Sequence, residues 1–129
     1  MIKALKLVMI VYSVIGILFG LAMIIIPDQL RDWFNMEQGP DIMQYFITLL
    51  AVQFIVVSVF LIIAARDPIK NILWVKLAIA HGFVDAVATL YVILRDYADF
   101  SQVGIGLIIH AVFAILLLIC YPWKSSQSS

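Results

Sequence analysis

The chain has one cysteine, four prolines and six glycines, and only eight basic and eight acidic side chains in 129 residues. Each scarcity excludes something. A single thiol, Cys120, permits no internal disulfide and no cysteine-based metal site, and it leaves the redox compartment open. No Lys or His stands at helical spacing from it within the apolar run, so it reads as an inert small residue. Balanced charge removes the electrostatic case for nucleic acid or an acidic partner. Charged residues are 12% and hydrophobic ones 65%, whereas soluble domains average about 25% and about 45–50%. With a mean hydropathy of +1.13, that balance excludes an ordinary soluble domain. P-loop, GxSxG, CxxC and HExxH patterns are all missing, and with them the common catalytic signatures.

What the chain does have is apolar sequence, in four runs at 4–26, 42–65, 71–94 and 103–121. Crossing a hydrocarbon core about 30 Å thick takes roughly 20 helical residues, which each run supplies or nearly supplies. Backbone groups in lipid must be satisfied within the segment or in a closed barrel, and these continuous runs lack the alternation of barrel strands. The expected fold is therefore all-α: a four-helix transmembrane bundle, one integral membrane domain. MIKALK before the first run has the look of a signal-peptide n-region. The uncharged stretch from Leu7 to Ile26 exceeds the about 7–15 residues of an h-region, however, and no A-x-A site follows. A retained first span is expected.

The connections carry the orientation signal. Lys3, Lys6, Arg66, Lys70 and Lys124 fall at one end, with Lys76 about a turn inside the third span, and only Arg31 and Arg95 at the other. The positive-inside rule then predicts cytoplasmic termini. In the first outer loop Pro27 and Asp28 suit a helix start, and Gly39-Pro40 a stop. Leu30, Trp33 and Phe34 are expected on one face of a short interfacial helix there, with Trp33 at headgroup level. An anchoring role is preferred to a substrate lid. Short links at 66–70 and 95–101 predict spans two, three and four packed in sequence as antiparallel neighbours. Tyr45, Tyr91, Tyr97 and Phe100 mark the outer interface, and Trp74, Tyr121 and Trp123 the inner one. The final KSSQSS is expected to be a solvated tail.

Ionisable residues interrupt the third and fourth runs. His81 and Asp85 stand four apart, on one helical face continued by Thr89, and His110 lies in the following span. At 1.5 Å per residue Asp85 sits about 13 Å below the outer end of its span and His110 about 10 Å below the end of its own. In an antiparallel hairpin the two can meet. Gln53 and Ser13 fall near mid-bilayer on spans two and one, so each span offers a polar group to one layer. Intramembrane ionisable groups are costly and usually functional, and a ligand, proton or cofactor site is one reading. A hydrogen-bonded network tying the helices together, at about 0.6–2 kcal/mol per contact, is the other. Both stand on the sequence alone.

Two histidines in a helical bundle invite haem. Axial ligation from opposite faces, however, needs helices further apart than the about 8–10 Å of packed neighbours. Chlorophyll through a single histidine, His81 or His110, leaves no local pattern and stays open. Zinc or di-iron is disfavoured, since span three has one carboxylate and no Glu-x-x-His occurs. No metal and no particular cofactor is assigned. Gly16 and Gly20 form a GxxxG that allows close helix approach, within the bundle or in a homo-oligomer. Gly104 and Gly106 ease the start of the fourth span.

The layout resembles a class of small bacterial and archaeal four-span proteins, the DUF4345 and BphX-like families and more distantly the DoxX-like proteins. The likeness is carried by Pro27-Asp28 with Trp33-Phe34, by Ala64-Ala65-Arg66-Asp67-Pro68, and by Trp74 with His81-Gly82-Phe83-Val84-Asp85. It implies a prokaryotic plasma-membrane protein. Some DoxX-like members resemble quinone-linked oxidoreductase subunits, a role that attaches to no residue of this chain. With so little mass outside lipid, the expected role is an accessory or structural subunit of a larger membrane complex. A small-molecule, quinone or proton-handling protein built on the polar layer is the alternative.

Overall fold

The computed structural model describes residues 1–123; the expected solvated tail, with Lys124, lies outside the described residues. It is all helix apart from its turns: α1 (Ile2–Ile25), α2 (Pro27–Trp33), α3 (Asp41–Ala64), α4 (Ile72–Leu94) and α5 (Phe100–Ile119). All but α2 are long and apolar enough to cross a membrane, at 24, 24, 23 and 20 residues. At 1.5 Å per residue the shortest is about 30 Å long, one hydrocarbon core. The protein is a small integral membrane protein, and the apolar side chains on the bundle's perimeter face lipid.

Three helices begin and end within two residues of expectation. The fourth span starts earlier, at Phe100 rather than 103. The reason is a capping box: the Asp99 amide donates to Gln102 Oε1 at 2.9 Å, which fixes the first turn ahead of the apolar run. Gln102 Nε2 also donates to the Asn35 carbonyl at 3.0 Å, tying the start of α5 to the loop after α2. Asn35 itself adopts a left-handed φ of 50°, which a short polar side chain tolerates, and Met36 N returns to the Arg31 carbonyl at 2.9 Å.

The face of α2 differs from expectation. Leu30 and Phe34, four apart, turn inward, while Trp33 is 69% exposed and points away from them. A 100° step per residue cannot keep Trp33 and Phe34 on one stripe of so short a helix. Arg31 pairs with Asp28 one turn back, leaving its side chain mostly covered.

The spans do not pack evenly in sequence either. They form two tight pairs, α1 on α3 and α4 on α5, that touch each other only lightly through α1–α5 and α3–α4. Glycine decides the pairing. A Cβ on Gly20 would lie 2.8 Å from the Ala51 carbonyl oxygen of α3, and one on Gly16 would meet Ser58 Oγ. A Cβ on Gly82 would lie 2.9 Å from Ala114 Cβ and 3.1 Å from the His110 carbonyl oxygen of α5. Helix α3 contains no glycine, and α4 spends its single one on α5, so the α3–α4 seam has nothing to draw it close.

The buried core lies at the end that carries the termini. Leu5 and Met9 of α1, Leu61 and Ala64 of α3, Val75 and Ala78 of α4, Leu117 of α5 and then Tyr121 close that end. Lys6 Nζ caps the chain leaving α3 by donating to the Arg66 carbonyl at 2.7 Å. Trp74 stacks on Phe60 with ring centres 5.1 Å apart, and Trp123 meets Tyr121 edge-on at 4.8 Å. At the opposite end the two pairs part.

Candidate functional site

Where the pairs part, they leave a half-open cavity of about 520 Å³. That volume falls within the range of small-molecule sites, about 300–1,000 Å³. One wall is the stripe Tyr12, Gly16, Phe19 and Met23 of α1, spaced three and four residues apart. On the facing side, α3 contributes Ile47, Leu50, Phe54 and Ser58, and α5 adds residues from Gln102 to His110. Helix α2 forms the roof through Pro27, Leu30, Arg31 and Phe34, so it covers the cavity as well as marking the interface. From Tyr12 to Met23 the slot runs about 16 Å along α1.

Its polar floor is formed by His81 and His110, with Asp85 held against both. His81 Nδ1 lies 3.1 Å from Asp85 Oδ2, and His110 Nε2 lies 3.4 Å from the same oxygen. The i,i+4 spacing makes the first contact, and the close α4–α5 approach at Gly82 makes the second. On its other side His110 Nδ1 donates to the Gly106 carbonyl at 2.8 Å, since a carbonyl can only accept. Thr89 Oγ1 donates to the Asp85 carbonyl at 2.8 Å, which fixes the turn above the carboxylate. Aromatic rings pack round the imidazoles. Phe54 stacks on His110 at 6.3 Å between ring centres and meets His81 edge-on at 6.5 Å. Tyr12 stands edge-on to His110 at 6.3 Å and stacks on Phe113 at 5.0 Å.

Of the residues expected in the layer, the structure brings His81, Asp85 and His110 together and leaves two outside. Ser13 is fully buried but turns away from the cavity, and its hydroxyl donates to the Met9 carbonyl at 2.7 Å. A serine bonded to the carbonyl four residues back has no donor left for a neighbouring helix. Gln53 is exposed on the perimeter, because the face that turns inward belongs to the next residue, Phe54. Depth was matched for both, but rotation about the helix axis was not. Gly16 and Gly20 lie against α3 of the same chain.

Sequence reasoning missed Tyr12, Phe54, Ser58 and Arg31. Tyr12 could have been found, since it sits four residues before Gly16 on the same stripe. Ser58 and Phe54 are likewise four apart on α3. Arg31 had no signal, because only the tertiary position of α2 turns it toward the bundle.

The arrangement leaves little room for haem between the histidines. His81 Nδ1 and His110 Nε2 both face one oxygen of Asp85, so the carboxylate takes the place an iron would need. Among the described residues no trio of His, Cys, Asp or Glu is placed to hold a metal ion. What the floor can do is accept or donate hydrogen bonds and hold a proton, under apolar walls that keep water sparse. Compared with known proteins, the chain matches no family model, no curated protein and no solved structure.

Proposed function

We propose that this membrane protein binds a small lipophilic molecule between its two helix pairs, with His81, Asp85 and His110 as the polar end of the site. The observation that carries the reading is the cavity itself: about 520 Å³ of largely apolar lining that includes the two imidazoles of the ionisable cluster. A core that closed along its whole length would suit a purely structural layer. Here the bundle closes only at the terminal end and opens where the imidazoles stand. Ring compounds of the quinone type and single-chain lipids both fit that chemistry. The accessory-subunit reading would draw on a lateral helix face for its partner. The GxxxG face that could have served is occupied by α3 of the same chain. The resemblance to BphX-like and DoxX-like proteins enters this proposal for its layout alone.

The test is solvent extraction and mass spectrometry of protein purified in mild detergent, on the parent and on Gly106→Phe. Gly106 lines the cavity, and a Cβ there meets nothing within 4 Å, so the ring can enter the slot without displacing a helix. A lipophile enriched in the parent and lost in the variant is expected. Equal recovery from both, or nothing above the detergent blank in either, overturns the proposal.

The orientation belongs to the same proposal: the terminal end, with Lys3, Lys6, Arg66 and Lys70, faces the cytoplasm, and α2 faces outward. With Cys120 replaced by alanine, Glu37→Cys is expected to react with an impermeant thiol reagent in intact cells. Ile69→Cys, in the opposite loop, is expected to react only after lysis. The reverse pattern would invert the site relative to the membrane.

A further inference from the structure

We infer that the cavity selects a lipophile that donates a hydrogen bond, an alkylphenol or long-chain alcohol, and that Nε2 of His81 is the atom accepting it. The inference rests on the small-molecule reading above and follows from counting protons on the floor.

His110 has no nitrogen to spare. Its Nδ1 carries a hydrogen for the Gly106 carbonyl at 2.8 Å, and its Nε2 faces Asp85 Oδ2 at 3.4 Å. Asp85 Oδ2 also faces His81 Nδ1 at 3.1 Å. Bare nitrogen against bare carboxylate oxygen is repulsive, so one proton must lie between Asp85 and His110, whichever of the two holds it. A hydrogen on His81 Nδ1 then completes the layer. That distribution leaves the trio neutral overall, the least costly state at membrane depth. Adding a second proton would give it a net positive charge, and no carboxylate lines the cavity to balance it.

With Nδ1 of His81 protonated and the ring neutral, its Nε2 is a lone pair. His81 lines the cavity with a third of its side chain accessible, and Nε2 makes no hydrogen bond among the described residues. The floor therefore offers an acceptor at the imidazole. A hydroxyl satisfies it, whereas an ether oxygen in the same place sets lone pair against lone pair. The ring of Phe54, packed on both imidazoles, gives an aromatic head a surface to lie against.

Two measurements on purified protein in detergent test this. The first is 15N NMR of histidine-labelled parent protein, which reads the tautomer directly. His81 is expected to show a protonated Nδ1 and a pyridine-type Nε2, and the opposite tautomer overturns the inference. The second compares 4-nonylphenol with its methyl ether as probes. The phenol is expected to bind about tenfold more tightly, the value of one net hydrogen bond. The preference is expected to vanish in His81→Phe, which keeps a ring but removes the acceptor. Equal binding of the two probes to the parent overturns the inference while leaving the cavity reading intact. Failure of both probes to bind, with the ligand extraction also blank, overturns the cavity reading and this inference with it.

Discussion

Replacing Asp85 by leucine is expected to destabilise the bundle by about 1–3 kcal/mol, whereas asparagine at the same position stays within about 1 kcal/mol of the parent. The difference follows from what the carboxylate holds. Leucine leaves His81 Nδ1 and His110 Nε2 facing a methyl group, two polar atoms orphaned in one step. Asparagine preserves the shape, and an amide nitrogen in the place of Oδ2 donates its two hydrogens to a bare His81 Nδ1 and a bare His110 Nε2. The trio stays neutral with one exchangeable proton fewer. Thermal unfolding in detergent measures the stability of each variant. Because His81 then carries its hydrogen on Nε2, the asparagine variant is expected to keep its stability while losing the preference for the phenol over its ether. Leucine as stable as the parent would mean that the layer contributes neither cohesion nor a fixed tautomer.

How far the sequence could be read follows the same line between depth and rotation. Length and apolarity determine that a helix spans the bilayer and how deep each residue lies, so Asp85 and His110 could be matched in height from their distances to the loops. Which way each side chain points about the helix axis depends on which helices pair. That was set by Gly82 and Gly20, whose neighbours are visible only in three dimensions. Gln53 illustrates the cost: the right depth, one residue away from the inward face that Phe54 occupies. Loop length misled for a related reason. A short link requires α4 to run antiparallel to α3, but not to press against it, and the cavity lies between the parted pairs, mostly against α5. The helix α2 was legible as a helix from Pro27 and Asp28. Its role as a roof was not, because Leu30 and Phe34 face inward only once the two pairs have parted beneath them.

The glycines should therefore separate into positions that hold the site together and positions that do not. Gly82→Ala is expected to cost about 1–3 kcal/mol, the usual range for forcing a methyl into a filled contact. Its Cβ would lie 2.9 Å from Ala114 Cβ and 3.1 Å from a backbone oxygen, that of His110. Neither neighbour is the far end of a flexible side chain, so α4 and α5 must move apart as helices. Because His110 is the residue displaced, the 3.4 Å contact with Asp85 lengthens at the same time, and the preference for the phenol over its ether should fall with the stability. Gly16→Ala meets Ser58 Oγ, which can rotate away, so a smaller loss is expected there. Gly106→Ala meets nothing within 4 Å and should be neutral, or stabilising by the about 0.5–1 kcal/mol that alanine gains over glycine in a helix. Unfolding midpoints for the three variants, measured side by side with probe binding, give the order. A Gly82→Ala protein as stable as Gly106→Ala would show that the α4–α5 approach is not what holds Asp85 against His110.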